Sequence, residues 1–351
     1  MISSISSSKH NDADDHYFHP NLKGVFVGSG SEGMADPRVA DAILNLLQED
    51  DDSNGKSPTV LYLGTATYDL PLFRAKQTQC LQDRGCIITS LDVAFDDATR
   101  DLQAEAQKKL QEADIIVVGG GNTLYAIDRW NHLGLVPLLR KAMERETVLT
   151  GGSAGAIVWF DGGHSDSMDP DTYACTMVAQ YGNASDKVEE VVDERSTVGS
   201  EIKDWKYIRV DGLGFLPGLL CPHHDRIQSN GVLRASDFDE MLLRHPGERG
   251  IGIDHWAALV VNGESYSVLS LEGKPGSILA SPSGKEFGVD ESGNAKGVPG
   301  IWIKHGNGHV SSNVCHPNGL LSEILGVPSE IIRESDDVKR CREANPSGVK
   351  I

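Results

Sequence analysis

Long apolar runs are missing from this chain. No stretch approaches the ~20 consecutive apolar residues that a membrane-spanning helix needs. Hydrophobic types still make up 39% of its 351 residues, enough to bury a sizeable core in one large α/β domain or two smaller ones. Basic residues are scarce beside acidic ones: 32 Lys and Arg stand against 51 Asp and Glu, a formal charge of −19. Nucleic acids and anionic membranes are held by basic patches, so the balance argues against both as partners. The cysteines, Cys80, Cys86, Cys175, Cys221, Cys315 and Cys341, include no Cys-x-x-Cys pair. That removes zinc-finger and dithiol redox motifs, and free thiols in a reducing compartment are expected. The first twenty residues are rich in Ser, Asp and His. They lack the apolar segment of a secretory signal, and their aspartates do not suit a transit peptide. A cytoplasmic protein with a loosely attached arm over residues 1–22 is the expectation.

From residue 24 to 159, short apolar runs alternate with helix-compatible segments. The strand candidates are 24–28, 59–63, 86–91, 114–118 and 148–150, and the helices between them include 37–47, 71–84, 97–112 and 136–145. Near-continuous apolar strands of this kind belong to a mostly parallel sheet covered by helices on both faces. Gly28, Gly30 and Gly33 match the dinucleotide-loop pattern by letter. Asp36-Pro37 delays the helix that such a loop must open, so nucleotide binding is not supported. Beyond 159 the alternation fades. Residues 160–170 read as a polar loop, and 186–194 as a charged surface run. Asn262-Gly263 marks a hairpin turn, and the last eighty or so residues hold weaker β-type runs.

Two glycine-rich strand ends carry the chemistry. Gly119-Gly120-Gly121-Asn122 follows one strand, and Gly151-Gly152-Ser153-Ala154-Gly155 follows another. The second fits G-x-S-x-G, a serine on a sharp strand-to-helix turn with its hydroxyl exposed above the sheet. Backbone N–H groups of Gly120 or Gly121 and of Ala154 are candidate donors to an oxyanion. A serine nucleophile needs a base and a group to orient that base. His223 and His224 directly follow an apolar run ending at Cys221, and either suits the base. Asp166, Asp169, Asp225 and Asp254 are open as the acid. His223, His224 and Asp225, with His255 or His164 as distant partners, sit in no metal-binding His-x-x-x-His or His-Glu-x-x-His pattern. Neither a metal nor a cofactor is expected.

Together, Val117-Val118-Gly119-Gly120-Gly121-Asn122-Thr123, Gly151-Gly152-Ser153-Ala154-Gly155-Ala156, Leu216-Pro217-Gly218 leading to Pro222-His223, and Gly250-Ile251-Gly252-Ile253-Asp254 resemble the peptidase E and cyanophycinase family of serine peptidases. The resemblance covers roughly residues 22–270. It implies a class I glutamine-amidotransferase-like α/β fold over residues 23–270, with 271–351 as a C-terminal β-type extension packed on the same domain. By position it makes Ser153 the nucleophile and His223 the base, with His224 as the alternative one residue away. It draws the acid from the loop between them, Asp166 first and Asp169 second. Relatives often show a carboxylate after the Gly-Ile-Gly-Ile-Asp run, where this chain has His255; that departure leaves Asp254 as a further alternative acid. The implied activity is hydrolysis of small acidic peptides of the Asp-Xaa type, with Arg226 considered for the substrate carboxylate. A small peptide is then the expected partner, and a homodimer is compatible with the sequence. A cyanophycinase-like or other hydrolase on the same scaffold, or a non-catalytic binding protein, are the competing expectations.

Overall fold

The structure, a computed structural model, describes residues 18–47, 56–182, 202–290, 294–326 and 336–344. Most of the expected arm and the 186–194 charged run lie outside these residues. The apolar runs form strands β1 (Lys23–Val27), β2 (Thr59–Leu63), β3 (Ile87–Ser90), β4 (Ile115–Val118) and β5 (Val148–Gly152). They pair in parallel in the order β1-β5-β4-β2-β3. The alternation of side chains along a strand sends successive residues to opposite faces. Val25 and Val27 pack with Val39 and Ile43 of helix Pro37–Asn45 on one face. Phe26 points the other way, into a core shared with Leu110, Trp130 and Leu139 of three further helices. Burial on both faces explains why these strands carry almost no polar residues.

The chain then builds a second sheet from β6 (Phe160–Ser165), β7 (Ile208–Asp211), β8 (Leu216–Cys221) and β9 (Arg249–Ile253). Strands β6, β8 and β9 run parallel, and β7 closes one edge antiparallel. The 160–170 segment is therefore not a loop throughout. Its first six residues are a fully buried strand. Gly162 and Gly163 hide it from a propensity reading, since glycine weakens a strand in isolation. Pairing with β7 and β8 on either side supplies what the residues themselves lack.

Strand β10 (Ala257–Asn262) returns to the first sheet beside β1, and the Asn262-Gly263 turn leads into β11 (Ser265–Ser270) as expected. The C-terminal residues add β12 (Ile278–Ser281), β13 (Gly284–Phe287), β14 (Ile301–Gly306), β15 (Val310–Val314) and β16 (Asn318–Leu320). Of these, β14 extends the second sheet beside β9, and β16 extends the first beside β11. The result is a mixed α/β fold: the first sheet is parallel from β1 to its β3 edge and antiparallel on its other side, and the second is parallel at its centre and antiparallel at both rims. Among the described residues no helix is long and apolar enough to cross a membrane.

The two sheets meet through aromatic packing. Phe26 of β1 and Phe160 of β6 sit edge to face with centroids 5.5 Å apart, and both are fully buried. Phe160→Ala would leave a cavity between two rigid sheets that collapse poorly. A loss of about 3–5 kcal/mol in unfolding free energy is expected, measurable by urea denaturation, against under about 0.5 kcal/mol for an exposed substitution such as Lys285→Ala.

Candidate active site

The carboxyl ends of β1, β4, β5, β8 and β9 converge on one cavity. It is lined by Gly30, Ser31 and Glu32 after β1, Gly120 and Gly121 after β4, Ser153 after β5, His223 after β8 and His255 after β9, with Lys76, Gln77, Arg226 and Gln228 around them. Ligands of open α/β sheets bind at such strand ends, because the loops there diverge and leave a crevice.

Ser153 is the junction between β5 and the helical turn Ala154–Ile157, with φ 55° and ψ −120°. A non-glycine residue with positive φ is strained, and such strain persists only where the surroundings enforce it. Those surroundings are neighbouring backbones. The Ser153 N–H donates to Val27 O at 3.1 Å. A Cβ at Gly152 would lie 2.0 Å from Ser29 O. The glycines beside the serine thus serve strand-to-strand approach, and the serine bears the unusual dihedral itself. Gly121 is held at φ 134°, with room for a Cβ closed off by Ala66 O at 2.3 Å. The Gly120 N–H faces the cavity and donates to the Gln77 side-chain oxygen at 3.3 Å. Ala154 N–H stands in the first turn of its helix, where no intrahelical acceptor exists. Asn122 serves the scaffold: it caps helix Thr123–His132 and donates to Ser167 O, tying down the 165–172 segment.

The adjacent histidines part company. The His223 N–H is tethered to Gly28 O, and the His224 N–H to Ile253 O. His223, with φ 48°, lines the cavity. His224 is buried between β9 and the aromatic rings of Phe287 and Trp302, against Gly252. Burial holds its imidazole well below the usual histidine range, so it stays neutral inside the core, away from the cavity.

The expected acids are placed elsewhere. Asp166 accepts from Gln228 Nε2 at 3.1 Å and lies 3.4 Å from Arg234, a buried cation that it neutralises. Asp169 caps the turn Pro170–Thr172 and accepts from Ser229 Oγ. Asp254 is fully buried on the far side of its strand end, accepting from Ser277 and from Gly300 N–H. The last two placements follow from turn and β-strand geometry rather than from the cavity. What meets His223 is another histidine: its Nδ1 lies 2.9 Å from Nδ1 of His255. The other side of His255, Nε2, stands 2.6 Å from a Glu32 carboxylate oxygen. That contact, aided by Arg226 and Lys274, holds Glu32 below the usual carboxylate range despite its partial burial. Glu32 comes from the helical turn Ser31–Met34 inside the glycine loop after β1. No motif marks it in the sequence. Its one signal is a lone carboxylate in a loop that leaves the edge where the serine also emerges. Among the described residues no group of three metal-ligating side chains is assembled; His164 is buried and paired with Asp237 instead.

Asp225 supports this end of the site by accepting the His255 backbone N–H at 2.7 Å. Burial and neighbouring Asp254 push its carboxyl up to about 7. An unfolded aspartate loses its proton near pH 3.9. Between the two values the folded state holds a proton that the unfolded state has released, so stability falls as pH rises from about 4 to about 7. The urea midpoint should therefore drop from pH 5 to pH 8 for the wild type and drop less for Asp225→Asn; equal slopes would contradict the assignment.

Comparisons with known proteins bear on the family and the fold. The sequence model of peptidase family S51 matches residues 25–182. A Trypanosoma brucei brucei protein named G2/mitotic-specific cyclin-1 is 32% identical over 269 residues, 73% of this chain and 77% of that protein. The uncharacterized peptidase YgaJ of Bacillus subtilis (strain 168) is 29% identical over 173 residues, 49% of this chain and 57% of that protein. Among solved structures, a peptidase from an acI-B1 Actinobacterium superposes with a TM-score of 0.50 at 18% identity, covering 85% of this chain and 96% of that one. At that identity the likeness concerns the fold.

Proposed function

From the premise that this chain belongs to peptidase family S51 and is a serine-type peptidase, we propose that it hydrolyses short peptides with an acidic residue before the scissile bond. Ser153 is the nucleophile in this reading and His223 the base. The observation that carries it is the meeting of Ser153, His223 and the Gly120–Gly121 backbone around one cavity at the strand ends. The serine hydroxyl attacks the peptide carbonyl as His223 takes its proton. The carbonyl oxygen, now negative, takes hydrogen bonds from Ala154 N–H and from Gly120 or Gly121 N–H. For Gly120 this means displacing the Gln77 side-chain oxygen to which its N–H now donates at 3.3 Å. His223 then returns the proton to the leaving amine, and water repeats the sequence on the acyl-enzyme.

The preference for an acidic residue rests on Arg226. It lines the cavity, and its Nε is buried without a hydrogen-bond partner among the described residues. A guanidinium left in that state favours a carboxylate, which it can hold with two parallel hydrogen bonds. Lys76 adds a second positive charge to the same wall.

A fluorophosphonate probe should label the wild type and leave Ser153→Ala unlabelled while that variant keeps its circular dichroism spectrum. Loss of Ser153 or of His223 should each lower peptide hydrolysis by ~10³-fold or more; a folded Ser153→Ala variant with wild-type activity would end the reading. In a dipeptide panel, Asp-Xaa should outrank Ala-Xaa. Arg226→Gln should raise KM for Asp-Xaa by ~10-fold or more, the scale of a lost charge-assisted hydrogen bond, and leave Ala-Xaa little changed. Cleavage of aspartate-rich polymer alone would move the assignment to a cyanophycinase-like hydrolase.

A further inference from the structure

We propose that His255 and Glu32 act jointly as the positioning group behind His223, so that the site works as a relay Ser153–His223–His255–Glu32. This rests on the reading of Ser153 and His223 given above and names what stands behind them. Three contacts carry it. His223 Nδ1 and His255 Nδ1 are 2.9 Å apart. His255 Nε2 and Glu32 Oε2 are 2.6 Å apart. Asp225 fixes the His255 backbone from below at 2.7 Å. Asp166, Asp169 and Asp254 are each committed to other partners.

Two facing imidazole nitrogens at that distance share one proton, and the question is which ring owns it. An ionised carboxylate only accepts hydrogen bonds. The Glu32 carboxylate, 2.6 Å from His255 Nε2 but not in regular hydrogen-bond geometry with it, favours by its charge the His255 tautomer with its proton on Nε2, which leaves Nδ1 of His255 as an acceptor. The shared proton then belongs to Nδ1 of His223, and Nε2 of His223 is unprotonated. That is the tautomer a general base requires. Without Glu32, His255 could carry its proton on Nδ1 and force His223 into the opposite, inactive tautomer. During attack the Ser153 proton moves to His223 Nε2, the Oγ–C bond forms, and the carbonyl π electrons move onto oxygen. The imidazolium so formed donates from Nδ1 to His255. Its positive charge faces the Glu32 carboxylate across one neutral ring, and no proton leaves the relay. When the C–N bond breaks, the same proton goes to the amine.

The charged groups around the pair are Arg226 and Lys76 in the cavity, Lys274 near Glu32, and Asp225 and Asp254 behind His255. Glu32 keeps 40% of its side chain exposed, so its charge is partly screened and its removal should cost less than removal of His223.

The test is the rate of fluorophosphonate labelling between pH 5 and pH 9, which needs no identified substrate. Glu32→Gln should slow labelling by roughly 10–100-fold, the usual cost of losing an orienting partner. It should also move the acid limb to lower pH, because losing the negative charge makes imidazolium less stable. Glu32→Asp should recover part of the rate. In a His255→Gln background, Glu32→Gln should cost nothing further, since the two act in series. Wild-type rate and an unshifted profile in Glu32→Gln, or an equal cost of that change with and without His255, overturns the relay and leaves Ser153 and His223 standing. A wild type that does not label at all overturns the parent reading, and the relay with it.

Discussion

Everything at this site depends on how closely three parallel strands approach one another at their carboxyl ends. Strands β1, β4 and β5 come together so tightly that Gly152 has the Ser29 carbonyl where its Cβ would be. A Cβ on Gly30 or Gly120 would stand 3.8 Å or 3.5 Å from that of Ser153. This closeness forces the turn after β5 into a conformation that ordinary residues avoid, and Ser153 occupies it. It also brings Gly120 beside the serine. The positions of the proposed nucleophile and of one proposed oxyanion donor thus both follow from a single packing constraint. A bulky residue at any of these glycines would separate the strands before it changed the chemistry.

The second sheet contributes by a different route. Strands β8 and β9 end beside β1, and backbone hydrogen bonds from His223 to Gly28 and from His224 to Ile253 lock their exits to those neighbours. In the turn that follows β8, with His223 at φ 48°, one tether leaves His223 lining the cavity and the other buries His224. Just past β9, Asp254 is buried and His255 lines the cavity. Packing across the sheets, through Phe26 and Phe160, keeps the two sets of strand ends in register with each other.

The carboxyl groups around His255 differ in the charge their surroundings favour. A partly exposed carboxylate, Glu32, is stabilised as an anion by His255 and two cations. Behind them, Asp225 and Asp254 are buried and held toward their neutral forms, at about 7 and about 6. Of the three carboxyl groups, Glu32 is the one whose surroundings favour its anionic form.

Much of this was legible in the amino-acid order. The apolar runs from 24 to 159 specify strands buried on both faces, because only such strands can omit polar residues. The Gly-Gly-Ser-Ala-Gly and Gly-Gly-Gly-Asn motifs mark two strand ends at one edge. Pro222-His223 marks a third. Those local patterns determine the family, the fold and the proposed nucleophile and base. The glycine-bearing strand at 160–165 escaped, since its strand character comes from partners rather than from its own residues. The group behind His223 escaped for a deeper reason. Glu32 and His255 are 223 positions apart in the chain, and no spacing rule links them. Only the folding of β1 beside β10, and of β8 beside β9, carries a loop carboxylate, a strand-end histidine and the base into one line of contacts. Residue type and local pattern decided what each strand end offers; the pairing of distant strands decided which of those offers meet.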